Sequence, residues 1–147
     1  MQNIKYTKEY AVFLLRLALG WLFFYAGITK VLNPDWTSAG YLETAKTFSG
    51  FYNWLASPDI IPFIDFINEW GLTLLGVSLI LGLWMRWSIP LGALLMLLYY
   101  LPILDFPYPN PYSFIVDEHV VYALALLALW ALRETRAWSL DAYYKIK

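Results

Sequence analysis

Four apolar stretches, each approaching the length of a bilayer crossing, dominate this sequence: about Tyr10–Leu32, Ile60–Trp84, Trp87–Leu104 and Phe114–Leu132. A helix needs about 20 residues to cross about 30 Å of hydrocarbon. Few folds are open to such a chain, because in lipid every backbone N–H and C=O must be satisfied within the protein. Composition agrees. The 147 residues are 61% hydrophobic and 14% charged, whereas soluble domains are about 45–50% apolar and about 25% charged. A soluble domain of this size would lack the polar surface to cover itself. The expected fold is all-α, an integral membrane four-helix bundle forming one domain over residues 1–147.

A net charge of −1 gives no footing for nucleic acid, and a cysteine count of zero excludes disulfides, thiolate metal sites and thiol relays within the chain. The first apolar run lacks a small-residue cleavage site and continues to spanning length, so it reads as a span rather than a leader. Basic residues set the orientation. Lys5, Lys8, Arg86, Arg133, Arg136, Lys145 and Lys147 fall on one side, and Lys30 and Lys46 on the other. The positive-inside rule then places both termini in the cytoplasm of a multi-pass cell-membrane protein. Trp36, Trp54, Trp87 and Trp138 fall near span ends, as interfacial belts do. Only Met85-Arg86 separates the second and third spans, which predicts a tight turn between antiparallel neighbours. Between the first two spans, Asn33–Asp59 is apolar at Tyr41, Leu42, Ala45, Phe48, Phe51, Tyr52 and Leu55, a spacing that predicts an amphipathic helix on or in the outer surface.

Charges inside such spans cost about 2.5–3.5 kcal/mol each on insertion scales unless they pair, line a wet cavity or do chemistry. Arg16 lies on the inner side. Lys30, Asp65, Glu69, Asp117, Glu118 and His119 gather at the outer side. Arg16, Gly20, Phe23, Gly27 and Lys30 share one helical stripe; Asp65, Glu69, Thr73 and Gly76 share another. If both stripes face inward, a polar pocket forms beneath the outer loop, with the glycines allowing close helix approach. Glu69 is either a structural partner of Lys30 or part of a ligand or proton path. Arg16 either snorkels to headgroups or binds an anion. Asp117 reads as favouring a helix N-terminus, and Glu118 fits that use or a site equally. His119, the only histidine, is either a proton carrier or a buried hydrogen-bonded side chain. Trp21, Trp70 and Tyr122 are candidates to stack on a quinone ring.

The segments RLALGWLFFYAGITKVLNPDW (Arg16–Trp36), SAGYLETA (Ser38–Ala45), NEWGLTLLGVSLILGLWMR (Asn68–Arg86), LGALLMLLYYL (Leu91–Leu101), VDEHVVYALALLALWALR (Val116–Arg133) and the closing Ser139–Asp141 resemble the DoxX superfamily. Within it the chain looks most like DoxD, the membrane subunit of thiosulfate:quinone oxidoreductase. The resemblance implies a four-helix membrane bundle. It also implies oxidation of thiosulfate to tetrathionate on the outer face, with electrons passing to membrane quinone; the sequence itself offers no ligand set for a metal or flavin, so neither is expected. Its implied surroundings are the lipid bilayer, membrane quinone and a DoxA-like or other redox subunit; a homo-oligomer is left open. Depth and charge, rather than the resemblance, make Glu69, Glu118 and His119 the candidate proton carriers, and Lys30, Arg16, Trp70 and Tyr122 the candidate binding residues. The competing reading is a non-catalytic DoxX-like membrane module that anchors or stabilises a partner redox protein. A small carrier or lipid-binding protein is a third.

Overall fold

The computed structural model describes residues 2–132 and 136–145, with side chains from Tyr6 onward. The helices run α1 (Gln2–Val31), α2 (Ala39–Glu43), α3 (Ser49–Leu55), α4 (Ile61–Leu81), α5 (Met85–Ile103), α6 (Glu118–Ala131) and α7 (Leu140–Tyr143). Among the described residues there is no strand, only two isolated β-bridges in the α5–α6 loop. The helices α1, α4 and α5 are long and apolar enough to cross a membrane, and α6 is apolar but has only 14 residues. The chain is thus an all-α, multi-pass membrane bundle, with α2 and α3 as the segment between the first two spans.

The bundle consists of two close pairs, α1 with α4 and α5 with α6. Glycine explains the first pair. A methyl group on Gly27 would lie 2.3 Å from the Thr73 backbone nitrogen, and one on Gly76 would lie 2.3 Å from that of Phe24. Lipid offers helices no hydrophobic reason to associate, so close backbone approach and packing hold them together. Gly76→Ala is therefore expected to cost about 2–3 kcal/mol, because backbone cannot yield as a side chain does. Gly71→Ala on the same helix meets nothing within 4 Å and should leave the thermal midpoint in detergent unchanged or slightly raised. Phe23, Leu72, Leu79, Ile89, Met96 and Leu126 fill the core between the pairs.

Several element boundaries differ from those read in the sequence, each for a local reason. The α4–α5 turn is Gly82–Trp84, not Met85-Arg86: Gly82 closes α4 in the left-handed region at φ 65° and α5 begins at Met85. Pro62 is accommodated in the first turn of α4, where its missing N–H costs nothing. The fourth helix starts at Glu118 rather than Phe114, because Asp117 caps it by accepting from the backbone N–H groups of His119 (3.0 Å) and Val120 (3.2 Å). The segment between α1 and α4 is two short helices rather than one. Thr44 bonds back to the Gly40 carbonyl, and the Lys46 N–H leaves the helical ladder for the carbonyl of Pro102, 2.8 Å away.

One end of the bundle is locked by Arg16. Its side chain is 0% exposed and donates to the carbonyls of Ala137 (3.3 Å) and Trp138 (2.9 Å). Asp141 then accepts from the backbone N–H groups of Trp84 (2.8 Å) and Met85 (3.0 Å), capping α5. The carboxy-terminal segment thus fastens α1 to the α4–α5 turn. Arg16 does not snorkel to headgroups, because every approach to water is filled by protein. The chain's amino-terminal side, Arg86 and Lys145 share this end; Arg133 and Lys147, also used for the orientation, lie outside the described residues, as does the Lys5 side chain.

Candidate functional site

At the opposite end α2 and α3 form a roof over the four long helices. The roof has its own small core of Leu42, Ala45 and Tyr52 against Ile61, Ile64 and Leu101. It is also pinned by hydrogen bonds. The backbone N–H and Oγ of Ser38 donate to Asp65 Oδ1 at 2.8 and 2.6 Å. Pro102 has no N–H, so the Leu98 carbonyl one turn earlier loses its helical donor; the Tyr52 hydroxyl fills the place at 3.0 Å. The Tyr41 hydroxyl donates to the Tyr99 carbonyl, and Thr47 Oγ1 to that of Leu104, each at 2.5 Å. Burial, with the charge of Asp117 adding to it, holds the Tyr41 phenol above its ordinary range, and burial raises Tyr52 too. Both therefore remain donors at physiological pH.

Beneath the roof lies a cavity of about 660 Å³. Its walls are mostly aliphatic and aromatic, with contributions from α1, α4, α5, α6 and the roof. Polar groups collect around one ring, that of Tyr99. The Lys30 ammonium lies 5.7 Å from that ring's centroid and 4.6 Å from that of Trp36. Among the described residues no carboxylate reaches ion-pair distance of it, although Glu69 and Asp65 act on it electrostatically. The His119 ring meets Tyr99 edge-on, 6.1 Å between centroids. The Tyr99 hydroxyl donates to Asn68 Oδ1, and Asn68 Nδ2 in turn donates to the Ile64 carbonyl at 3.4 Å.

Asp117 has a second use beyond the cap. Its Oδ1 takes the two backbone donors, while its Oδ2 lies 2.7 Å from Nδ1 of His119. The Asp117 side chain is 2% exposed and that of His119 20%. A carboxylate oxygen only accepts, so Nδ1 carries the hydrogen and Nε2 is left for a ligand. An acid that orients an imidazole beside a cavity is an arrangement suited to proton transfer.

Of the residues singled out in the sequence, the cavity joins Lys30, His119 and Tyr122, the last packed edge-on against Phe23. Glu69 is half-buried on α4 and outside the lining; its carbonyl accepts from Thr73 Oγ1 at 2.7 Å. Glu118, Trp70 and Trp21 are exposed and outside it. Arg16 is at the other end of the bundle. Sequence reasoning passed over Tyr99 and Asn68. The signals for them were an intramembrane asparagine and a tyrosine one turn before a helix-interior proline.

No curated protein and no solved structure matches this chain. The sequence profile of the DoxX family matches residues 11–104, which run from α1 through α5 and include Lys30, Asn68 and Tyr99, but stop short of the loop and helix that carry Asp117 and His119. With most of the chain inside that match, and a four-helix membrane bundle around it, the protein belongs to the DoxX family.

Proposed function

We propose that the chain is the membrane subunit of a quinone-linked sulfur oxidoreductase, and that the cavity beneath the roof receives the quinone ring. The observation that carries this reading is a cavity of about 660 Å³ with apolar walls and one cluster of proton-bearing groups around Tyr99. Pockets of about 300–1,000 Å³, largely apolar with a few convergent polar groups, suit ring-bearing ligands of this size. A bound quinone would accept two electrons and two protons and leave as quinol, the electrons coming from two thiosulfates joined as one tetrathionate.

The chain's own groups divide the work. Tyr122, Phe23 and Trp36 supply aromatic faces to hold a ring. His119, oriented by Asp117, exchanges a proton at Nε2. Lys30, held over two rings without a carboxylate partner, offsets negative charge arriving in the cavity and draws a sulfur anion toward it. Glu69 acts from outside the cavity as a counter-charge to Lys30, and Glu118 at the exposed start of α6 as a proton exchanger with water. In this reading Arg16 and Trp70 hold no substrate. The basic residues gathered at the Arg16 end orient that end, with both termini, toward the cytoplasm, which turns the roof outward.

The test is thiosulfate-dependent reduction of a soluble quinone analogue by the purified protein in lipid. Lys30→Met is expected to lower kcat/KM for thiosulfate about tenfold or more and to flatten its dependence on salt. Glu69→Gln should have a smaller effect than any replacement of His119. A folded wild type that stays inactive alone rejects self-sufficiency. Turnover restored by a second redox subunit then identifies a missing partner, and continued silence favours the anchoring module.

A further inference from the structure

The α5–α6 loop is an odd surface for a water-facing connection. From Phe106 to Val116 it holds no charged residue. Its apolar side chains nevertheless point away from the protein: Tyr112 is 98% and Phe106 77% exposed, and Tyr108, Phe114, Ile115 and Val116 are exposed as well. Exposed apolar patches of this kind mark a surface that something covers.

Three features of the loop and of α6 point to lipid as the cover. The first is length. At 1.5 Å per residue the 14 residues of α6 rise about 21 Å, short of the roughly 30 Å of hydrocarbon. Past its inner end the sequence turns basic at Arg133 and Arg136, whereas before its first residue it continues apolar through Phe114, Ile115 and Val116. The missing height therefore belongs at the loop side. The second is partial backbone satisfaction, which suits the headgroup level, where water still reaches the remaining groups, rather than the hydrocarbon core. Asp105 and Tyr108 bond each other, Ser113 N–H reaches the Asn110 carbonyl at 3.2 Å, and Ile115 N–H reaches that of Pro107 at 2.8 Å. The Ile115 carbonyl takes the Tyr100 hydroxyl, and three prolines have no N–H to satisfy. The third is position. The exposed apolar side chains of the loop and the exposed row Val121, Leu124 and Leu127 of α6 flank one exposed carboxylate, Glu118, which sets this stretch at headgroup level rather than deeper. Tyrosine at the margin of that stretch matches the amphipathic rings that favour headgroup level.

We infer that residues 106–116 form a membrane-interface segment, seated among the headgroups and upper acyl chains of the leaflet at the roofed end, and that they complete the fourth crossing which α6 alone leaves short. This stands independently of the quinone reading.

Because the chain has no cysteine, single nitroxide labels can be placed by Phe106→Cys, Tyr112→Cys and Phe114→Cys in phosphatidylcholine vesicles. Collision of each label with oxygen and with a water-soluble nickel chelate is then compared with headgroup-labelled lipid, acyl-labelled lipid and a soluble nitroxide. The expected oxygen-to-nickel ratio lies between those of the two lipids, several-fold above that of the soluble label. A ratio equal to the soluble label's places the loop in water and overturns the inference. Shielding from both reagents means that protein, a second copy or a partner, covers the patch, and overturns it too. The Tyr112 side chain is almost wholly exposed, so its replacement disturbs no packing and the test stands on that position even if another variant fails to fold.

Discussion

Arg16→Ala is expected to destabilise the protein by about 3–5 kcal/mol, the range seen when a buried charge network loses one partner. Two partly buried carbonyls, of Ala137 and Trp138, lose charge-assisted donors, and the space of a wholly buried side chain is left empty. The damage extends beyond them. The segment they belong to presents Asp141 to the start of α5, so that cap loosens as well. A fall of about 10 °C in the thermal midpoint in detergent is the expected reading. Arg16→Lys should recover only part of it, since one ammonium cannot reproduce a fork that reaches two carbonyls. Arg86→Ala, an exposed cation 5.7 Å from the Trp87 ring, is the control and should stay within about 0.5 kcal/mol. Equal stability of Arg16→Ala and Arg86→Ala would remove the clamp from this account.

His119→Gln is expected to lower quinone turnover by about 10²–10⁴, the usual worth of a positioned general acid or base, with little change in stability. The α6 cap runs from the backbone of residues 119 and 120 to Asp117 and does not use the imidazole. Asp117→Asn separates the two uses of that acid. A carboxylate has two oxygens and divides them between the cap and Nδ1, whereas an amide has only one. Its single oxygen can keep the cap, since asparagine caps a helix about as well as aspartate, so the variant should hold its stability while losing the acceptor for Nδ1, and should shift the pH profile of turnover relative to the wild type. A change in stability with an unmoved pH profile would mean that the pair only holds the helix.

The sequence made the helical bundle legible because hydrophobic length and glycine spacing are local properties. Gly27 meets Thr73 as their stripes implied, whereas Gly76 meets Phe24, one position off the first stripe. The roof was visible as amphipathic spacing, yet its division into α2 and α3 was not, since the break depends on the carbonyl of Pro102, 56 residues beyond Lys46. Arg16 shows the same limit more sharply. Its partners are backbone carbonyls more than 120 positions away, and a carbonyl carries no signature of its own in a sequence. His119 stood out as the only histidine. The link to Asp117 is close in the chain, but reading it required knowing where α6 begins. Lys30 was legible as a charge, while its seat over Trp36 and Tyr99 follows from how the chain turns after α1.

The central claim is that a quinone ring enters the cavity beneath the roof. It is tested most directly by photolabelling the protein in lipid with an azido-quinone and mapping the adducts by mass spectrometry. The account predicts adducts on cavity residues such as Tyr41, Tyr99 and Tyr122, suppressed by excess unlabelled quinone and reduced when Phe23 or Leu72 is enlarged to tryptophan. Adducts scattered over the lipid-facing residues of α5 and α6, and indifferent to competition, would contradict it.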